Sequence, residues 1–227
     1  MMKSMKRIIG LVIMAGMLMF PMTAKAADGQ LGIYVAPKVI YGLTYMKDFK
    51  YQDTTGENLG SHWDSTFGGS LAGGYDFSKK LNIPVRAELE YAAFTKAEAE
   101  ENEFLKQSNN IQTLFANIYY DINTGTKFIP YVSAGMGVGF IRTKGSAPGW
   151  NPIWDSTGSK TVTNFAWNVG LGLGYQITNN IALDAGYRFE DLGKVQTNWC
   201  DTAPAPWRLE TKRIYQHQFS LGARFTF

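Results

Sequence analysis

The chain is poor in the residues that carry most protein chemistry. It holds one cysteine, Cys200, so no disulfide can form within it, and Cys200 is read as incidental. It has two histidines, His62 and His217, too few for a histidine-rich metal centre. Neither sign of charge dominates: 22 Lys and Arg stand against 19 Asp and Glu. Beyond residue 26 no apolar run approaches the ~18 residues that a membrane-crossing helix needs.

The one long apolar run is at the start, "MMKSMKRIIGLVIMAGMLMFPMTAKA". Lys3, Lys6 and Arg7 precede an apolar core from Ile8 to Met19, and Ala24-Lys25-Ala26 offers small-x-small cleavage. Residues 1–26 read as a cleaved signal peptide and 27–227 as one exported domain. A membrane-anchor helix is the alternative, but the run is short and the cleavage signal opposes it. No cysteine follows the apolar core, so an N-terminal lipid is not expected. Losing the leader's four cations leaves 18 basic against 19 acidic residues, a net of −1. The basic pI therefore belongs to the precursor, and a nucleic-acid partner is not expected.

What the chain does have is glycine, 24 residues, and aromatics at 14%. In "LGIYVAPKVIYGLTYMKD", Leu31, Ile33, Val35, Val39, Tyr41, Leu43 and Tyr45 occupy one parity. Gly32, Tyr34, Ala36, Lys38, Gly42 and Thr44 occupy the other. Period two over so long a stretch is a strand with one apolar and one mixed face. Seven more such segments follow, around 67–77, 85–94, 114–121, 130–140, 165–176, 181–191 and 215–227. Short polar turns ("SKKLN", "NTGTK", "TNN") alternate with long polar stretches near 49–66, 95–110, 143–162 and 193–213, which read as loops. Within the second, "KAEAEENEFLKQ" reads as an acidic segment of helical character with a solvated face.

These patterns predict an all-β fold: an eight-stranded antiparallel transmembrane β-barrel with short periplasmic turns and four long extracellular loops. A soluble ligand-binding barrel would bury the apolar parity. Here the opposite parity carries glycines and charges, a poor hydrophobic core.

The last strands carry a family likeness. "GYRFEDLG" followed by "HQFSLGARFTF", with "YYD" at Tyr119–Asp121 and "PYVSAGMGVGF" at Pro130–Phe140, resembles the OmpA-like and opacity-type surface-antigen superfamily of small Gram-negative barrels. The resemblance covers about Leu31 to Phe227 but is poor in the long polar stretches. It implies an outer-membrane location. It also implies that Phe227, preceded by Phe219, Leu221 and Phe225, is similar to the signal read by the barrel-assembly machinery. It does not settle function, because members differ widely in role.

The inward parity places Lys38, Arg86, Arg188 and Arg224 with Glu88, Glu90, Asp121, Asp184 and Glu190. Four cations against five anions suggest mutual neutralisation, in a barrel that side chains just fill. Arg86, Asp121, Asp184 and Arg224 are expected to meet near the periplasmic end, with Glu88, Glu90 and Arg188 above them. A narrow ion path through this network is the alternative.

Two motifs fail on inspection. Gly135-x-Gly137-x-Gly139 has Phe140 where a dinucleotide loop needs glycine, and "GSKT" at Gly158 has Ser159 where a phosphate loop needs glycine. His217 has Phe219, not serine, two residues on, as a deacylase-like barrel would require. His62 with Asp64 carries little weight. No enzyme, cofactor or metal is expected. Trp63, Trp150, Trp154, Trp199 and Trp207 fall in the expected loops, either packing over the barrel mouth or forming a binding surface.

The functional expectation is a plugged outer-membrane surface protein, structural or adhesin-like through its outer loops. Expected partners are outer-membrane lipid or lipopolysaccharide, the assembly machinery during biogenesis, and a host or environmental ligand. A small-solute or ion channel is the second reading and a lipid-modifying barrel enzyme the third.

Overall fold

A computed structural model describes residues 31–52, 57–101, 105–146, 157–198 and 208–227. The leader assigned to residues 1–26 and the cleavage point at Ala27 lie outside these. The described elements are β1 (Ile33–Gln52), β2 (Glu57–Asp76), α1 (Ser78–Leu81), β3 (Val85–Phe94), β4 (Ala97–Glu101) and β5 (Leu105–Asp121). They continue with β6 (Phe128–Ser146), β7 (Thr157–Gln176), β8 (Ile181–Asp191), β9 (Val195–Gln196) and β10 (Arg208–Thr226).

Eight of these strands form the closed wall, in the order β1-β2-β3-β5-β6-β7-β8-β10, with β10 pairing back onto β1. Every pairing is antiparallel. The closing seam sets Val35 opposite Phe225, Val39 opposite Leu221 and Tyr45 opposite Tyr215. Below it, Gly32 N donates to Phe227 O at 3.1 Å and Phe227 N to Ile33 O at 2.8 Å. Closure leaves no wall edge to recruit another strand.

Alternation sorts the side chains as the sequence predicts. Leu221 is 65% exposed on the outer face, whereas Glu90 is 1% exposed inside. A soluble barrel buries the apolar parity, so this inverted sorting suits hydrocarbon outside and polar groups within. Inward glycines make room for large inward rings. A Cβ on Gly74 would lie 2.3 Å from the Tyr34 ring, and one on Gly172 would lie 2.4 Å from the Tyr131 ring.

At one end the connections are tight. Between β2 and β3, Asp76 Oδ1 accepts from Ser78 N at 2.9 Å and Ser78 Oγ at 2.6 Å, fixing α1, and Asn82 ends it at φ 53°. The other two short connections run over residues 122–127 and 177–180.

The opposite end differs from the expected loops. β1 continues to Gln52 and β2 resumes at Glu57, so most of 49–66 is a paired hairpin. Likewise β5 and β6 pair up to Lys106 opposite Ser146, and β6 with β7 up to Ser146 opposite Thr157. β10 begins at Arg208, and β9 pairs with it in the last stretch. The described residues of the acidic "KAEAEENEFLKQ" segment are not helical: Ala97–Glu101 pairs with β5 as β4, and the segment's last three residues open β5.

The cause is an inner face that stays buried above the apolar outer band. Met46, Ile111, Ile141 and Ile214 are all fully buried there, beside Thr44, Thr113 and Thr211. Such residues favour a pleated ladder even where the outward positions are polar. A strand of 20 residues such as β1 spans about 66 Å along its length at ~3.3 Å per residue. Tilted by ~40°, it stands roughly twice as tall as the ~25 Å apolar band of a membrane barrel.

Candidate functional site

The lumen is filled in tiers, each supplied by inward residues about two positions apart on neighbouring strands. Nearest the short turns, Arg86 on β3 clasps Asp121 on β5 with two bonds, Nε–Oδ2 at 2.7 Å and Nη2–Oδ1 at 2.9 Å. Rings surround that guanidinium, with the centroids of Tyr119, Tyr131 and Tyr34 at 4.5, 5.3 and 6.0 Å. Arg224 on β10 faces Asp184 on β8 at 3.5 Å and lies 5.7 Å from the Tyr34 centroid. A vestibule of about 390 Å³ opens at this end, lined by Asp76, Lys79, Asp121 and Arg224.

The next tier spans the bore. Lys38 Nζ lies 2.6 Å from Glu88 Oε1 and also bonds Glu90. Arg188 reaches from β8 to Glu90 at 2.6 Å, and its Nε lies 3.0 Å from Glu190 Oε1. Tyr119 OH and Tyr34 OH donate to Glu88 at 2.9 and 3.1 Å. The cavity left among Lys38, Glu90, Ser133, Asp184, Arg188 and Ser220 is about 30 Å³, room for about two waters.

Amides cover the ions. Arg188 Nη2 donates to Gln218 Oε1 at 2.8 Å, Gln218 Nε2 to Gln216 Oε1 at 3.0 Å, and Gln216 Nε2 to Thr66 Oγ1 at 3.0 Å. Asn168 Nδ2 donates to Asn117 Oδ1 at 3.0 Å. Above them Ile40, Phe94, Ile111, Phe115, Ile141 and Leu192 form a buried apolar cluster. The inward parity reads from the sequence as a mixed face rich in glycine and charge, with no apolar cluster expected in it. The signal was available, since Ile40 shares the parity of Lys38 and Phe115 that of Asn117.

The nine charged residues therefore lie together in the lumen, in two linked groups. Of the five tryptophans expected in loops, one lies among the described residues. Trp63 sits on β2, in the ladder opposite Tyr45, and points outward at 59% exposure. Trp150, Trp154, Trp199, Trp207 and Cys200 lie outside the described residues. His62 and Asp64 are also strand residues, and Asp64 Oδ2 accepts from Glu98 N at 2.6 Å, bridging β2 to β4.

Trp63 belongs instead to an aromatic wall on the outer surface. Its ring lies 4.7 Å from Tyr45 and 5.8 Å from His217. His217 packs 5.3 Å from Phe189, and its Nδ1 shares a 2.8 Å hydrogen bond with Tyr187 OH. Phe189 in turn meets Trp167 at 5.9 Å and Tyr215 at 5.6 Å. Amphipathic rings collected above an apolar band are the girdle of a membrane barrel. His217 is held there by rings and a tyrosine hydroxyl.

Known proteins share this organisation. Residues 12–227 match the family described as outer membrane protein beta-barrel domain. Outer membrane protein PagN of Salmonella typhimurium is 28% identical over 224 residues, covering 88% of this chain and 92% of that protein. Opacity protein opA60 of Neisseria gonorrhoeae is 29% identical over 168 residues, 64% of this chain and 63% of that protein. The chain thus spans less than two thirds of that opacity protein's length. Among solved structures, Neisserial surface protein A superposes with a TM-score of 0.54 at 23% identity, covering 88% of this chain and 100% of that one. A major outer membrane protein from Thermus thermophilus gives a TM-score of 0.56 at 13% identity, over 85% of this chain and 99% of that one. These structures share the fold. The inverted barrel, its girdle and the match over residues 12–227 lead to one conclusion: the chain belongs to the outer membrane protein β-barrel family and resides in the outer membrane.

Proposed function

We propose that this protein is a non-conducting surface barrel whose extended end, carried clear of the outer leaflet, presents a binding surface of adhesin or surface-antigen type. The observation that carries the reading is the cross-lumen Arg188–Glu90 pair, under an amide layer and a buried apolar cluster, with about 30 Å³ left beside it. Ions crossing such a bore would have to break paired charges in a poorly hydrated space. In this reading the short turns face the periplasm, and the strand extensions above the girdle stand clear of the membrane. The partner is a host or environmental ligand met at that end. No catalytic role is assigned to His217 or His62. The outward Phe219, Leu221 and Phe225 on β10, with Phe227 directly after it, serve the barrel-assembly machinery during biogenesis.

Single-channel recording of the folded mature protein in a planar bilayer tests the plug. Silence is expected, and reproducible discrete steps would replace this reading with that of a channel. Exchanging residues 147–156 and 199–207 for short Gly-Ser turns tests the surface role. Adhesion of the producing cells should be lost while the barrel still assembles.

A further inference from the structure

The outer wall carries a depression that neither the plug nor the extended end explains. It lies across β7, β8, β10 and β1, is open to the outside with a volume of about 680 Å³, and is lined almost wholly by apolar groups. Its origin is one short side chain. The register sets Ala185 between Leu221 on β10 and Leu173 on β7, with Val39 next along the same row. Those neighbours stand out from the wall, and Ala185 does not. The row above is bulky: Phe219 lies 5.4 Å from Tyr187, and Tyr41 lies 5.1 Å from Phe67. The result is a groove overhung by rings.

Farther up the same strands the surface turns cationic. Lys47 and Arg213 are register partners, both exposed, and Lys212 adjoins them. Asp191 lies 3.4 Å from Arg213 and Asp48 lies 3.6 Å from Lys212, so three cations face two carboxylates. From Arg213 to Leu221 is about 27 Å along the strand at ~3.4 Å per residue, or ~20 Å along the membrane normal at ~40° tilt. One leaflet is half the ~30 Å hydrocarbon core plus its interface. A lipid whose head lies at Lys47 and Arg213 therefore reaches the groove with its acyl chain.

We infer that the β7–β8–β10–β1 face is a binding site for one phosphorylated lipid of the outer leaflet. An acyl chain fills the groove over Ala185, and the phosphate sits at Lys47 and Arg213. The aromatic wall, with His217 held by Tyr187, lies between head and groove.

Native mass spectrometry of the full mature protein, released from phosphatidylcholine nanodiscs doped with bis-phosphorylated lipid A, tests the assignment. One retained phosphorylated lipid per barrel is expected. Lys47→Gln and Arg213→Gln should each lower its occupancy by about fivefold, the scale set by one cation near an anionic surface. Ala185→Leu, which fills the groove, should lower it comparably, whereas Ala116→Leu on the far wall should not. Heat-modifiable migration verifies that each variant is folded. Equal retention of dephosphorylated lipid A, or undiminished occupancy in Ala185→Leu, would overturn the inference. Dimers that Ala185→Leu abolishes would overturn it too, by giving the groove to a second copy of the chain.

Discussion

Arg188 and Glu90 meet across the barrel: Nη2 on β8 lies 2.6 Å from Oε1 on β3, four strands away round the wall. The pair does not stand alone. Glu90 is shared with Lys38, and Arg188 also holds Glu190 through Nε at 3.0 Å. Two opposite walls are thus tied through the bore, and each charge in the chain depends on its neighbour for the solvation it lost on folding.

Arg188→Met should therefore destabilise the barrel by roughly 3–5 kcal/mol, because it strips Glu190 and half-strips Glu90 of a buried partner. Glu90→Met should cost a comparable amount. The double variant should cost less than the sum, with a coupling energy of about 1 kcal/mol or more. Urea unfolding in lipid vesicles, followed by tryptophan fluorescence, measures all three. Strict additivity would mean that the two side chains do not support one another.

How far the sequence was legible depended on which solvent each face meets. The limits of β3 and β8 could be read to the residue, since Val85–Phe94 and Ile181–Asp191 alternate between hydrocarbon outside and charge or small residues inside. Glu88, Glu90 and Arg188 could be grouped for the same reason, once strands facing across the bore were counted. Where the outer face meets water the contrast vanishes. Thr161 and Lys144 fall in the stretch that reads as a loop, 143–162, although Thr143 and Ile141 beneath them are fully buried. Trp63 was misplaced by the same blindness. Which rings meet in the aromatic wall was hidden for another reason: Tyr45, Trp63, His217 and Phe189 come together only through the pairing of four different strands.

The boundary between hydrocarbon and water can be located with one charge moved along β7. Leu171 and Thr161 both point outward, below and above the girdle residue Trp167. Leu171→Arg should cost roughly 2–4 kcal/mol, as a cation near the bilayer midplane does, and Thr161→Arg about 0–1 kcal/mol. Reversible unfolding in vesicles gives both values. An equal penalty at Thr161 would place the whole of β7 in the membrane and remove the projecting end.

Tyr131 fits inside the wall because Gly172 faces it without a side chain. An added Cβ would lie 2.4 Å from the ring and 2.5 Å from the Ala185 carbonyl oxygen. Gly172→Ala should destabilise by roughly 1–3 kcal/mol through overpacking. Adding Tyr131→Ala to it should recover part of that loss, though the backbone contact keeps recovery incomplete. Slower refolding of Gly172→Ala with unchanged stability would place the strain in assembly instead.

Phe115 is fully buried at the join between the two kinds of interior, in the cluster with Ile111 and Ile141, with the Arg188 guanidinium 5.8 Å from its ring centroid. If the projecting end is held by a packed core, Phe115→Ala should cost roughly 3–5 kcal/mol, and Phe115→Leu much less. The alanine variant should also leave space that water can enter from the amide layer, raising hydrogen exchange at the backbone of Ile111–Asn117 before global unfolding. Conductance should stay silent, because the ion pairs beneath are untouched. A Phe115→Ala barrel of wild-type stability would mean that the upper strands are held by their ladders alone and that the apolar cluster adds nothing to them.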